Sequence, residues 1–176
     1  MDAPYIPRQG SERDTLVAFL DYHRELLIDK ASGLTDEQLH AAVAPSSLTL
    51  GGLINHMAVV EDSWFTDDFA GNPIPEPWAN APWDEDRDWE LTSAPDVPTT
   101  ELFQRYRDAI ARSDAVLASI DNLDALSQKT HPDGDEWSMR WILFHMIEET
   151  ARHCGHADFI RESIDGSVGD FRPQEG

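Results

Sequence analysis

Three observations predict an all-α fold, a four-helix bundle running up-down-down-up. Apolar residues recur at three- and four-residue spacing over four stretches of about 20 residues each. No stretch shows a convincing period-two strand pattern, and one long aperiodic connection separates the second helix from the third. Moderate links join helices one and two and helices three and four, which makes those pairs antiparallel. If the long connection crosses the bundle, helices two and three run parallel. A chain of 176 residues is expected to form a single domain over 1–176.

The first ten residues form an arm in which Pro4 and Pro7 block regular structure. From Ser11, with Asp14 three residues on as a capping-box-like start, the stripe Leu16, Phe19, Leu20, His23, Leu26, Leu27 and Lys30 predicts a long helix to near Gly33. Thr35 then caps a short helix that Pro45 ends. The second long helix begins near Thr49 and runs to Gly71, with Leu53, Met57, Val60 and Trp64 on its apolar stripe.

Residues 72–98 follow, rich in proline and without a sustained period. Irregular connections of this length are functional loops or linkers. Trp78, Trp83 and Trp89 argue that this one folds down onto the body of the protein. A third helix spans roughly 99–120, after Pro98, on the stripe Leu102, Tyr106, Ile110, Ser113 and Leu117. Residues 121–137 read as a polar connection with a turn at His131-Pro132-Asp133-Gly134 and His131 exposed. The fourth helix is framed by Ser138 as N-cap and Gly166 just past its end, with no proline between; the tail after it is short and polar.

Charge excludes several partners. With 34 acidic and 13 basic residues the formal charge is −21, a field that repels phosphate backbones and anionic membrane surfaces, so neither nucleic acid nor membrane is expected as a partner. No apolar run approaches the roughly 20 residues needed to cross a bilayer. The N-terminus also lacks the basic and apolar regions of a signal peptide, so a cytoplasmic location is expected. Cys154, the single cysteine, has no disulfide partner and is read as a small packing residue.

The fourth helix carries the chemistry. At about 100° per residue, His145, Glu149, His153 and His156 fall within roughly 80° of one another. Trp141, Phe144, Ile160 and Ile164 share that direction, so the polar row is expected to run through an apolar face. On the second helix His56 lies near the middle of the apolar stripe and is expected to be buried. Any one of these histidines is ordinarily a hydrogen-bonded core or boundary residue, the reading adopted for His23 and His40, but the constellation points to a metal. Helices two and four in contact would bring His56 to Glu149 and His153. Three N/O ligands with one open position are the composition of a catalytic zinc-type site.

The segments LGGLINHMAVVEDSWF and HMIEETARHCGHADFIRESIDG resemble the DinB-like metal-binding four-helix bundles, most closely their mini-circle protein subgroup, over about residues 11–166. The family pattern, one histidine on helix two and an HxxxH pair on helix four, is matched at His56 and His153. Glu149 stands where the pair's first histidine would be, which is similar to mycothiol-dependent maleylpyruvate isomerase. That departure leaves His156 as a competing ligand on the same face.

The resemblance implies a divalent metal, zinc or nickel, held by His56, Glu149 and His153. It also implies a reaction in which a small-molecule thiol, mycothiol where that is the cell's thiol, is activated as a thiolate toward an electrophile. The catalytic residues are left unassigned, and a homodimer is compatible with such a bundle. The competing expectation is a non-catalytic bundle whose metal only stabilises the core or serves an interaction. Under either expectation His145 is not a ligand and marks the wall of the pocket.

Overall fold

The computed structural model describes residues 4–130 and 133–171, so His131 lies outside the described residues. Helix α1 (Glu12–Ala31) starts at Ser11, whose hydroxyl accepts from the Asp14 backbone N–H. Thr35 and Gln38 form a reciprocal capping box on the one-turn α2 (Asp36–Leu39). Helix α3 (Leu50–Glu61) is capped by Thr49, and α4 is a single turn (Trp89–Thr92). Helix α5 (Thr99–Ala118) follows Pro98, and α6 (Met139–Asp165) runs from the Ser138 cap to Gly166, which takes the left-handed conformation at φ 77°.

The fold is mainly helical, as expected. Helix α1 packs along α6 and α3 along α5, while α3 also touches α1 and α6. Leu20, Leu27, Leu53, Met57, Phe65, Leu102, Tyr106, Ile142 and Met146 fill the shared core. None of the helices is long and apolar enough to cross a membrane, among the described residues.

Three features depart from the sequence reading. The helical run that begins at Leu50 continues past Glu61 as a π-helix, Asp62–Phe69. The change falls between two fully buried carboxylates. Arg24 of α1 grips Glu61 through Nε and Nη2 at 2.7 and 2.6 Å. Arg112 of α5 grips Asp62 through Nε and Nη2 at 2.7 and 2.9 Å. A wider helical turn reduces the angle between successive side chains, which lets adjacent residues both point inward to arginines on different helices.

The second departure lies in residues 121–137, read as a plain connection. They hold β1 (Leu126–Thr130) and the start of β2 (Glu136–Ser138), an antiparallel pair with an irregular register. The hairpin lies against the π-helix. Gly71, at φ 66°, sits so close beneath it that a Cβ there would come within 2.9 Å of Gln128 Cβ.

The third concerns α6. Its core face is Met139, Ile142, Leu143, Met146, Thr150, Cys154, Ala157 and Ile160. Trp141 and Phe144, expected to share a buried face with the polar row, are about half exposed, at 48% and 55%. The polar row therefore lies on a partly exposed face rather than in the core.

Residues 72–98 fold onto α3. Trp78 is buried and donates through Nε1 to Asp62 at 3.1 Å; Trp83 donates to the Trp78 carbonyl at 3.1 Å. Trp89 meets both rings edge-on. The aromatic-rich segment is thus ordered, and it sets Glu90 against the middle of α3.

Candidate metal centre

Helix periodicity puts Glu149 and His153 one turn apart on α6, and α3 brings His56 across to them. His153 Nε2 lies 3.1 Å from Glu149 Oε1, and His56 Nε2 lies 3.6 Å from the same oxygen. The two imidazole rings meet edge to face with centroids 4.9 Å apart. One donor atom from each of the three residues falls within 4.8 Å of the others. Two imidazole nitrogens and a carboxylate oxygen from two helices suit a borderline divalent ion such as zinc.

His56 was expected to be buried, but its side chain is 21% exposed; Glu149 is at 15% and His153 at 11%. All three side chains thus keep a fraction of their surface exposed, so the triad is not sealed in the core.

The electrostatics favour the ligating forms. Burial pushes His153 below its ordinary imidazole pKa, and the neighbouring His56 adds to this against the opposing pull of Glu149, so the charged form is disfavoured. Burial alone would raise Glu149. The charge and hydrogen bond of His153, with Arg152 and His56, outweigh it and hold the carboxyl below its ordinary value. Arg152 Nη1 sits 3.3 Å from Glu149 Oε2. Arg140, at the start of α6, is engaged by Glu12 and Asp124.

The other histidines separate cleanly. His156 Nδ1 lies 3.3 Å from His153 Nδ1, on the side of that ring away from Glu149, so it contacts a triad member without joining the cluster of donors. His145 stacks on Trp141 at 5.2 Å and 15°, and Trp64 leans on both rings. This aromatic wall occupies the next turns of α6, with Trp141 about 12 Å along the helix from Glu149. Beyond it a depression of about 420 Å³ lies beside Trp137 and Trp141, rimmed by Asp135 and Glu136. His23 is on α1, with Nδ1 at the Phe19 carbonyl, 2.7 Å away.

Sequence reading missed Glu90. Its Oε1 lies 2.9 Å from His56 Nδ1, on the far side of the ring from Glu149. No periodicity marks a carboxylate in an aperiodic segment. The one available signal was that its tryptophan neighbours had to fold down onto something.

Cys154 faces α1, not the triad, and its Sγ donates to the His23 carbonyl at 3.3 Å. Burial, with Asp158 adding to it, pushes the thiol from its ordinary 9.0 up to about 12. A shift of that size lowers the thiolate fraction near pH 8 about a thousandfold, so the native protein should react with a disulfide reagent slower than the unfolded chain by a comparable factor. Equal rates in buffer and in denaturant would refute it. Because the folded-state value lies above the unfolded one, the thiol's contribution to stability is whole below pH 9.0 and is lost as pH rises through about 12.

A family model described as Mycothiol-S-transferase matches residues 15–166. No curated protein matches the chain.

Proposed function

Given that the chain belongs to the mycothiol S-transferase family, a DinB-like family, we propose that it is a metal-dependent thiol S-transferase acting with mycothiol. The observation that carries this is the convergence of His56, Glu149 and His153, each of them only partly shielded from solvent. His56, Glu149 and His153 would hold a divalent ion, zinc or nickel, which would lower the pKa of a bound thiol toward neutral pH. His56 and His153 supply neutral donors, and Glu149 supplies one negative charge. His153 and, after it, Arg152 favour the ionised form of Glu149 against its burial. Trp64, Trp141 and His145 form the wall against which the organic part of the ligands lies. The −21 charge opposes highly anionic electrophiles, so the second substrate is neutral or weakly charged.

In this proposal the chain is one domain, its four long helices run up-down-down-up, and the protein works in the cytoplasm. A structural metal would need a closed fourth protein ligand. The contact of His156 with the opposite nitrogen of His153 favours the open site.

Adding mycothiol to the cobalt-substituted protein should produce a sulfur-to-metal charge-transfer band. A cobalt spectrum that no thiol perturbs would leave only the structural role. Trp141→Ala should weaken mycothiol binding about 2- to 12-fold, the worth of one aromatic contact, with metal content unchanged. Calorimetry checks this, and an unaltered affinity would remove the aromatic wall from the binding surface.

A further inference from the structure

Glu90 is held in place twice. The buried Asn55 side chain donates through Nδ2 to the Glu90 backbone carbonyl at 2.7 Å, and His56, the next residue on α3, meets the Glu90 carboxylate at 2.9 Å. Both ends of Glu90 are therefore fixed to consecutive residues of one helix. The residue is only 6% exposed, and its second oxygen, Oε2, is buried without a hydrogen-bond partner. Trp89 beside it is wedged against Trp78 and Trp83.

A buried carboxylate facing one imidazole is costly unless positive charge lies close by. Among the described residues no lysine or arginine is paired with Glu90; its ion-pair partner is His56. A place for compensating charge is offered by the far nitrogen of that ring, which faces Glu149 at 3.6 Å.

We propose that Glu90 is the positioning residue of the metal centre, holding His56 with its proton on Nδ1 so that Nε2 is left as a bare donor toward Glu149 and His153. This rests on the triad being the metal site. A carboxylate on the outer nitrogen fixes the tautomer and the ring orientation and raises the basicity of the inner one. It also brings the charge of two carboxylates, Glu149 and Glu90, against a divalent cation. The irregular 72–98 segment thereby becomes part of the site, because Glu90 reaches His56 only while α4 is seated on α3.

The test compares wild type with Glu90→Ala and Glu90→Gln. Zinc affinity is read by chelator competition, the His56 tautomer in metal-free protein by nitrogen-15 NMR, and folding by urea midpoint. Glu90→Ala should bind zinc about 10- to 100-fold more weakly, the usual cost of losing such an outer partner, and should no longer hold a single His56 tautomer. Glu90→Gln, whose amide oxygen still accepts from Nδ1–H, should keep the tautomer and fall between the two in affinity. Should the alanine variant not fold, the glutamine variant decides, because removal of charge alone must weaken zinc binding. Folded variants that bind zinc within threefold of wild type would overturn the role of Glu90 and leave the metal site standing. Wild-type protein that takes up no divalent ion would defeat both.

Discussion

His56→Ala and His153→Ala should each hold zinc more than a hundredfold more weakly than wild type. The expectation follows from order of contact: loss of an outer partner of a ligand costs about 10- to 100-fold, and loss of one of three direct donors must cost more. His156→Ala is informative because its only link to the triad is the far nitrogen of His153, 3.3 Å away. It should weaken binding about tenfold, as an outer partner does. Metal analysis and chelator competition on the purified variants give the ranking. If His156→Ala emptied the site while His56→Ala retained a full equivalent, the ligand set would have to move along α6 and off α3.

Breaking the Arg24–Glu61 pair should be the most destabilising single change in the interior. Arg24 is 1% exposed and Glu61 is wholly buried, so Arg24→Met strands the Glu61 charge where water cannot reach it, while Glu61→Gln leaves the buried guanidinium only its partners at the surface and should cost less. For Arg24→Met the cost is about 3–5 kcal/mol. For a chain of this size that corresponds to a drop of roughly 6–20 °C in Tm. The double variant Arg24→Met/Glu61→Leu removes both charges and should recover most of the loss, because apolar replacement of a buried pair is often neutral. Asp21 and Asp114, which also touch Arg24, are about half exposed and can be rehydrated. Urea unfolding of the three variants provides the check; single variants within about 1 kcal/mol of wild type would show that the pair is not strongly coupled to folding.

How much was legible in the sequence depended on whether the information was local. Helix ends were readable because Ser11, Thr49, Ser138 and Gly166 act on their own backbone neighbours. Glu149 and His153 were readable as a pair because four residues make one turn, and His56 followed from its place on a stripe and from the family resemblance. The π-helix was not readable. It coincides with Glu61 and Asp62 reaching Arg24 and Arg112 on two other helices, a tertiary circumstance. The hairpin was missed because its eight strand residues are mostly polar and exposed. Periodicity also could not tell a buried apolar face from an exposed one: Trp141 and Phe144 were rightly grouped on one face, but that face is half exposed. Glu90 lay beyond any local signal, since its partner is 34 positions away in sequence.

The chain has six tryptophans, and all of them stand in two clusters. Trp64, Trp137 and Trp141 form one, which touches His145 a turn from Glu149. Trp78, Trp83 and Trp89 form the other, joined to His56 through Glu90. No indole elsewhere in the molecule dilutes the emission of these two groups. Intrinsic fluorescence should therefore report on the surroundings of the triad, and the two clusters can be read apart by replacing Trp64 or Trp89 with phenylalanine. Metal uptake should then register chiefly in the cluster containing Trp89, and thiol binding against the aromatic wall in the cluster containing Trp141, so the order of the two events can be followed by stopped flow without an added label.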